Sequence, residues 1–137
     1  LAQLERLPEM LARRREIADA YNDVLTGCNK MTAPPSPSWA SPSGWLYSLL
    51  CANAGVADAL VEHMRAKGIE ARKFWRSLSE QPVYSESPAY LTGVSQKISG
   101  SVVSLPSSSS LSIDQLDRVI EELKAFDSLG ESIKVTA

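Results

Sequence analysis

Three short apolar runs, each followed by a helical repeat, constrain this chain more than any other feature. They are "WLYSLLC" at 45–51, "IEARKFW" at 69–75 and "SVVSL" at 101–105. Each is bounded by turn signals and is too short for a buried helix, so each reads as a strand, the first as a buried one. Behind the first, Val56, Leu60, Val61 and Met64 share one side of a helix over 55–67, which Gly68 ends. Behind the second, Ser87 and Pro88 read as an N-cap and first helical position, followed by Leu91, Val94 and Ile98 and closed near Gly100. Behind the third, Ile113, Leu116, Val119, Ile120 and Leu123 form one stripe. This order predicts an α/β (α+β) fold, a small, roughly three-stranded sheet alternating with helices.

A longer helix precedes the sheet. Leu1, Leu4, Leu7, Leu11, Ala18, Tyr21 and Leu25 recur at helical steps, joined by Ile17 and Val24. Pro8 should kink or restart that helix, since it removes a donor and crowds the preceding turn. The charges at Arg13, Arg14, Arg15 and Glu16 read as a solvated face. The 137 residues fit a single domain: a long helix over 1–27, a Pro/Ser loop over 28–44, the sheet and its helices over 45–127, and a tail over 128–137. A helical pattern is already running at Leu1, so the expectation is a cut piece, a processed product or a chain whose start lies upstream, without a leader peptide.

The serine run at 107–110 bridges the third strand to the last helix, a length usual for such connections. Ser112 and Gln115 form the S-x-x-Q signature of a capping box. The run lacks the glycines and lysine of a phosphate cradle.

Composition excludes several classes. A net charge of −2 gives no nucleic-acid footprint, and no apolar run approaches membrane-spanning length. Cys28 and Cys51 read as reduced and packed. His63, the single histidine, lies beside a stripe as a surface or edge residue, and no zinc cluster accompanies it. There is no nucleophile elbow and no dinucleotide fingerprint. Glu121 and Glu122 read as solvent-facing helix charges. None of the six lysines, Lys30, Lys67, Lys73, Lys97, Lys124 and Lys134, sits in an apolar pocket sequence that would make it a Schiff-base amine. Read by residue type, Phe74 and Trp75 suit a strand's core face, Arg72 a surface or ion-paired position, and Tyr84 a loop cover.

Four segments in order resemble one family. "LAQLERLPEMLARRREIADAYNDVL", "SGWLYSLL", "KGIEARKFWRSLSEQPVY" and "SLPSSSSLSIDQLDRVIEEL" are similar to the C-terminal small domain of DegT/StrS-type nucleotide-sugar aminotransferases. The resemblance covers about residues 1–125. It implies the small-domain fold of the aspartate-aminotransferase type, and pyridoxal phosphate (PLP) as the parent family's cofactor. The lysine-bearing large domain is outside this stretch, so it implies no catalytic residue and no cofactor bound by this chain alone. It implies a cytoplasmic chain that pairs with a large aminotransferase domain or forms a homo-oligomer, with a nucleotide-sugar bound only in the full enzyme and neither nucleic acid nor membrane as partner.

Carried over by motif, Arg72, Phe74 and Trp75 would stand near the cleft-facing segment. Gln81, Pro82 and Tyr84 match the family's Q-P-x-Y loop end. Two positions depart from its P-L-H-x-Q-P loop: Ser77 stands at the first proline and Ser79 at the histidine that can face the sugar. The alternative is a non-catalytic assembly module that self-associates or pairs with another chain. A stand-alone enzyme of another class has little in the residues to support it.

Overall fold

Pro8 splits the N-terminal stripe into two helices in the computed structural model of the chain, which describes residues 2–129. They are α1 (Ala2–Glu5) and α2 (Leu7–Leu25), with Arg6 at the break at φ −94°, ψ 0°. The cause is local, because proline has no N–H to offer the carbonyl four residues back, at Leu4. There follow β1 (Met31–Thr32), β2 (Tyr47–Cys51), α3 (Ala54–Ala66), β3 (Arg72–Lys73), α4 (Val94–Ser99), β4 (Val102–Leu105) and α5 (Ile113–Ser128).

The four strands form one antiparallel sheet in the order β1-β2-β4-β3. Tyr47 pairs with Leu105 and Leu49 with Val103, and all four are buried. The alternating residues Ser48, Leu50, Ser104 and Arg72 fall on the other face, half-buried or exposed. That alternation is what a sheet covered on one face requires. The covering side chains are Ile17, Tyr21 and Leu25 from α2, Val56, Ala57, Leu60 and Met64 from α3, and Leu116, Val119, Leu123 and Phe126 from α5. Truncating any of the large ones to alanine removes roughly 2–5 kcal/mol.

Caps define the helix ends. Asn53 accepts the Val56 N–H at 3.0 Å at the start of α3. The capping box of α5 is complete: Gln115 N–H donates to Ser112 Oγ at 3.2 Å, and Ser112 N–H donates to Gln115 Oε1 at 3.0 Å. At the other end of α5, Lys30 Nζ donates to the carbonyls of Phe126, Asp127 and Leu129, where a cation complements the helix dipole.

The structure corrects several expectations. The sheet has a fourth strand, β1, inside the stretch read as a loop. Trp45 and Leu46 precede β2 and are exposed. β3 is only two residues long, because β4 offers it few partners: Phe74 N–H makes the last rung, to the Val102 carbonyl at 2.9 Å, where β4 begins. Phe74 and Trp75 consequently lie outside the core. Ser87 and Pro88 do not begin a helix. The Ser87 N–H closes a turn on the Tyr84 carbonyl instead, and α4 starts at Val94 behind Gly93 at φ +80°. A helix from Ser87 would find no core for its stripe, and Leu91, Val94 and Ile98 are all exposed. Likewise Leu4 and Leu7 stand in solvent. The tail expected over 128–137 lies outside the described residues from 130 onward. Both cysteines are free thiols.

Candidate functional site

The residues singled out by motif leave the sheet at β3 and run into two 3-10 turns, Leu78–Glu80 and Pro82–Tyr84. Arg72 points from the open sheet face and ion-pairs with Glu70, two residues before it. The Phe74 and Trp75 rings meet at a tilt with centroids 5.0 Å apart, and Trp75 lies tilted against Trp45 with centroids 6.2 Å apart. Trp75 is 64% exposed and Trp45 60%, so these rings form a surface cluster. Ser79 is held by Ser77 at 2.9 Å and by Gln96 Nε2 at 2.9 Å. Gln81 links the two turns: its N–H reaches the Leu78 carbonyl and its own carbonyl accepts from Tyr84.

These six residues do not converge on one pocket. Arg72 lines a cleft with Arg14, Trp45 and the serine loop. Phe74 lines a second, with Asp58, Lys73 and Arg76. Ser79 and Tyr84 line a third, with Leu78 and Tyr90.

Arg14 escaped the sequence reading, which placed it on a solvated face. It is half-buried, and its Nε is buried without a hydrogen-bond partner. The spacing held the signal, because Arg14, Ile17, Tyr21 and Leu25 lie three, four and four residues apart on one face of α2. Gly44 at φ +63° lets the loop backbone lie against the Arg14 stem; a Cβ there would come within 3.2 Å of Arg14 Cβ. The serine loop opposite is pinned to α2 by two bonds. Arg13 donates to the Leu111 carbonyl at 2.9 Å, and the Tyr21 hydroxyl donates to the Pro106 carbonyl at 2.8 Å.

A second polar cluster joins α3 to α5. His63 Nε2 lies 2.9 Å from Glu122 Oε2, and Lys67 Nζ lies 3.2 Å from Glu122 Oε1. Glu122 is therefore a half-buried hub and not the solvent-facing charge expected. Burial works to raise its pKa, but the hydrogen bonds and charges of Lys67 and His63 outweigh burial and hold it below the ordinary value. The thiols are quiet. Burial pushes Cys51 to about 12 against the opposing charge of Lys73, and burial and then Asp127 push Cys28 up. A thiolate nucleophile needs the reverse.

Known proteins place this architecture in a class. The aminotransferase TlmJ from Streptoalloteichus hindustanus superposes with a TM-score of 0.82 at 28% identity, over 91% of this chain and 34% of that one. DesV of S. venezuelae shares the fold with a TM-score of 0.85 at 22% identity, over 95% of this chain and 35% of its own. Among curated relatives, EpsN of Bacillus subtilis, whose name assigns it PLP-dependent aminotransferase chemistry, is 30% identical over an alignment of 131 positions that covers 90% of this chain and 33% of EpsN. GDP-perosamine synthase of Escherichia coli O157:H7 is 28% identical over 126 residues, 92% of this chain and 34% of its own length. Residues 1–124 match the DegT/DnrJ/EryC1/StrS aminotransferase family, and the chain belongs to that family. It spans about a third of the length of the relatives it matches.

The family's enzymes use PLP. The described residues do not fit that group as a resident cofactor. A Schiff-base lysine needs a desolvated amine that can lose its proton. Here Lys67 pairs with Glu122, Lys73 with Asp58, and Lys30 with backbone carbonyls. Lys97 is exposed on α4, and Lys124 shares its groove with Asp23 and Asp127, carboxylates that would repel a phosphate. Lys134 lies outside the described residues. Among the described residues no group of three potential metal ligands occurs, and no helix is long and apolar enough to cross a membrane.

Proposed function

We propose that this chain is the small C-terminal domain of a PLP-dependent aminotransferase acting on nucleotide-linked keto-sugars in the cytoplasm, and that it has no catalysis of its own. One observation carries the reading: at least 89% of the chain aligns with the solved aminotransferases TlmJ, CalS13 and the Brucella abortus member of the family, and it occupies only about a third of each. GDP-perosamine synthase among the relatives supports the nucleotide-sugar part. In this reading the segment after β3, with Arg72, Phe74, Trp75, Ser79, Gln81 and Tyr84, faces substrate once a large domain is present. Serine at position 79 then gives a sugar preference unlike that of members with histidine there. The test is to add PLP to the 137-residue chain. No borohydride-trappable absorbance should appear near about 420 nm. A stoichiometric trapped adduct on a lysine of this chain would end the reading.

A second reading is an assembly module that self-associates or pairs with another chain. The exposed apolar residues between 74 and 98 favour it: Trp75, Leu78, Val83, Tyr84, Leu91, Val94 and Ile98. Clusters of this kind mark interaction surfaces. Light scattering over a dilution series tests it, and a chain that stays monomeric at every concentration would rule out self-association.

A further inference from the structure

We infer that residues 75–99 form a hinged flap that opens from the sheet and its helices as one unit while the core stays closed, with Trp75 against Trp45 as its latch.

The geometry of the neck comes first. Phe74 N–H donates to the Val102 carbonyl at 2.9 Å. The segment rejoins β4 through Ser101, which is buried and whose carbonyl accepts the Cys51 N–H at 2.8 Å. Both stems therefore end side by side at the start of β4. A segment whose ends meet can swing about two adjacent points while the strands behind them keep their pairing. Gly100 sits at one of those points, where a Cβ would come within 3.3 Å of Ala54 Cβ.

Little holds the segment against the body. None of residues 75–99 is buried. Among the described residues, every side-chain hydrogen bond that they make stays inside the segment, and none of them joins an ion pair. Across the seam lies the tilted ring pair of Trp45 and Trp75, both mostly exposed. Opening therefore uncovers no core side chain and breaks no side-chain hydrogen bond to the body. A region with so few buried contacts opens at a small fraction of the cost of global unfolding.

The segment is better joined to itself. Gln96 Nε2 donates to Ser79 Oγ at 2.9 Å, Ser77 Oγ lies 2.9 Å from the same oxygen, and the Ser99 hydroxyl donates to the Glu80 carboxylate at 3.0 Å. These bonds fasten α4 to the first 3-10 turn, and Gln81 carries the connection to the second. The two halves consequently leave the body together. Between flap and body lies a cleft of about 640 Å³, with Asp58 and Lys73 on the body and Arg76, Glu80, Gln96 and Ser99 on the flap. The Asp58–Lys73 ion pair stays with the body, so the flap is a lid whose position sets access to that cleft. This device requires no aminotransferase chemistry and stands whether or not the function proposed above does.

Native-state hydrogen exchange on the 137-residue chain, followed at low denaturant concentrations, tests it. The amides of Glu80, Gln81, Tyr84 and Lys97 are hydrogen-bonded within the flap. They should share one opening constant and one denaturant slope. Their opening should be at least about a hundredfold more frequent than that of the Leu49 and Val103 amides in the sheet. Trp45→Ala, at an exposed position, should raise the flap's opening constant roughly two- to tenfold and leave the sheet amides as they were. Flap amides that exchange as fast as an unstructured peptide, or each with its own slope, would show that there is no unit. Exchange only together with Leu49 and Val103 would show that the segment does not open by itself. Either result overturns the inference, and an unchanged opening constant in Trp45→Ala overturns the latch. The exchange pattern is read on the unmodified chain, so it does not depend on how the variant folds.

Discussion

The Tyr21 hydroxyl donates to the Pro106 carbonyl at 2.8 Å, bridging 85 residues of sequence and fastening α2 to the loop that follows β4. The Tyr21 ring also packs on Tyr47 at 4.9 Å, at the centre of the core. Tyr21→Phe keeps the ring and removes only the bond. Leaving the half-buried carbonyl without a donor should lower stability by about 1–2 kcal/mol. Urea unfolding followed by circular dichroism measures this, and an unchanged midpoint would show that water replaces the tyrosine.

Ser112→Ala removes the side chain that caps α5 and strands the Gln115 amide. The expected loss is about 1 kcal/mol. Gln115→Ala should cost less, since it frees only the Ser112 N–H. The double variant should fall short of the sum, because each half of the box supports the other.

Glu122 makes stability depend on pH. Its folded pKa lies below the ordinary 4.5, so the unfolded chain takes up this proton more readily than the folded one. The contribution is complete above that ordinary value and disappears as pH falls through the folded one. Unfolding midpoints taken between about pH 7 and pH 3 should drop more steeply for wild type than for Glu122→Gln. Parallel slopes would remove the carboxylate from the account.

Cys51, buried at the end of β2, should resist thiol reagents in the native chain. Its pKa of about 12 leaves almost no thiolate near pH 8. Titration with a chromogenic disulfide should find Cys51 only after denaturant is added. Rapid native labelling at Cys51, located by mass spectrometry, would contradict the buried placement.

How far the sequence could be read depended on whether a pattern was satisfied inside the chain. The helices α3 and α5 were legible because their stripes meet the sheet, and the capping box because its partners, Ser112 and Gln115, are three residues apart. β1 was not legible. Two residues beside a proline-rich stretch carry no period, and the edge of β2 alone makes them a strand. Phe74 and Trp75 misled in the opposite direction. Their residue types favour a strand, but the neighbouring strand has run out where they begin. Of the site, the motif singled out the residues, but the placing of Arg72, Phe74, Ser79 and Tyr84 in three separate clefts depends on turns that no local pattern reveals. Arg14 was legible in principle through its spacing from Ile17, and charge obscured it.

Between Phe74 and Gly100 no residue is buried, although the segment is tethered at both ends by β3 and β4. Substitutions there have almost no core to disturb, and changes of that kind usually stay within about 0.5 kcal/mol. Trp75→Ser should leave the unfolding midpoint where it was. The segment is thus a cassette whose residues can be exchanged for those of a relative without renegotiating the rest of the fold. Divergence in what this surface meets is free to run ahead of divergence in the scaffold that holds it.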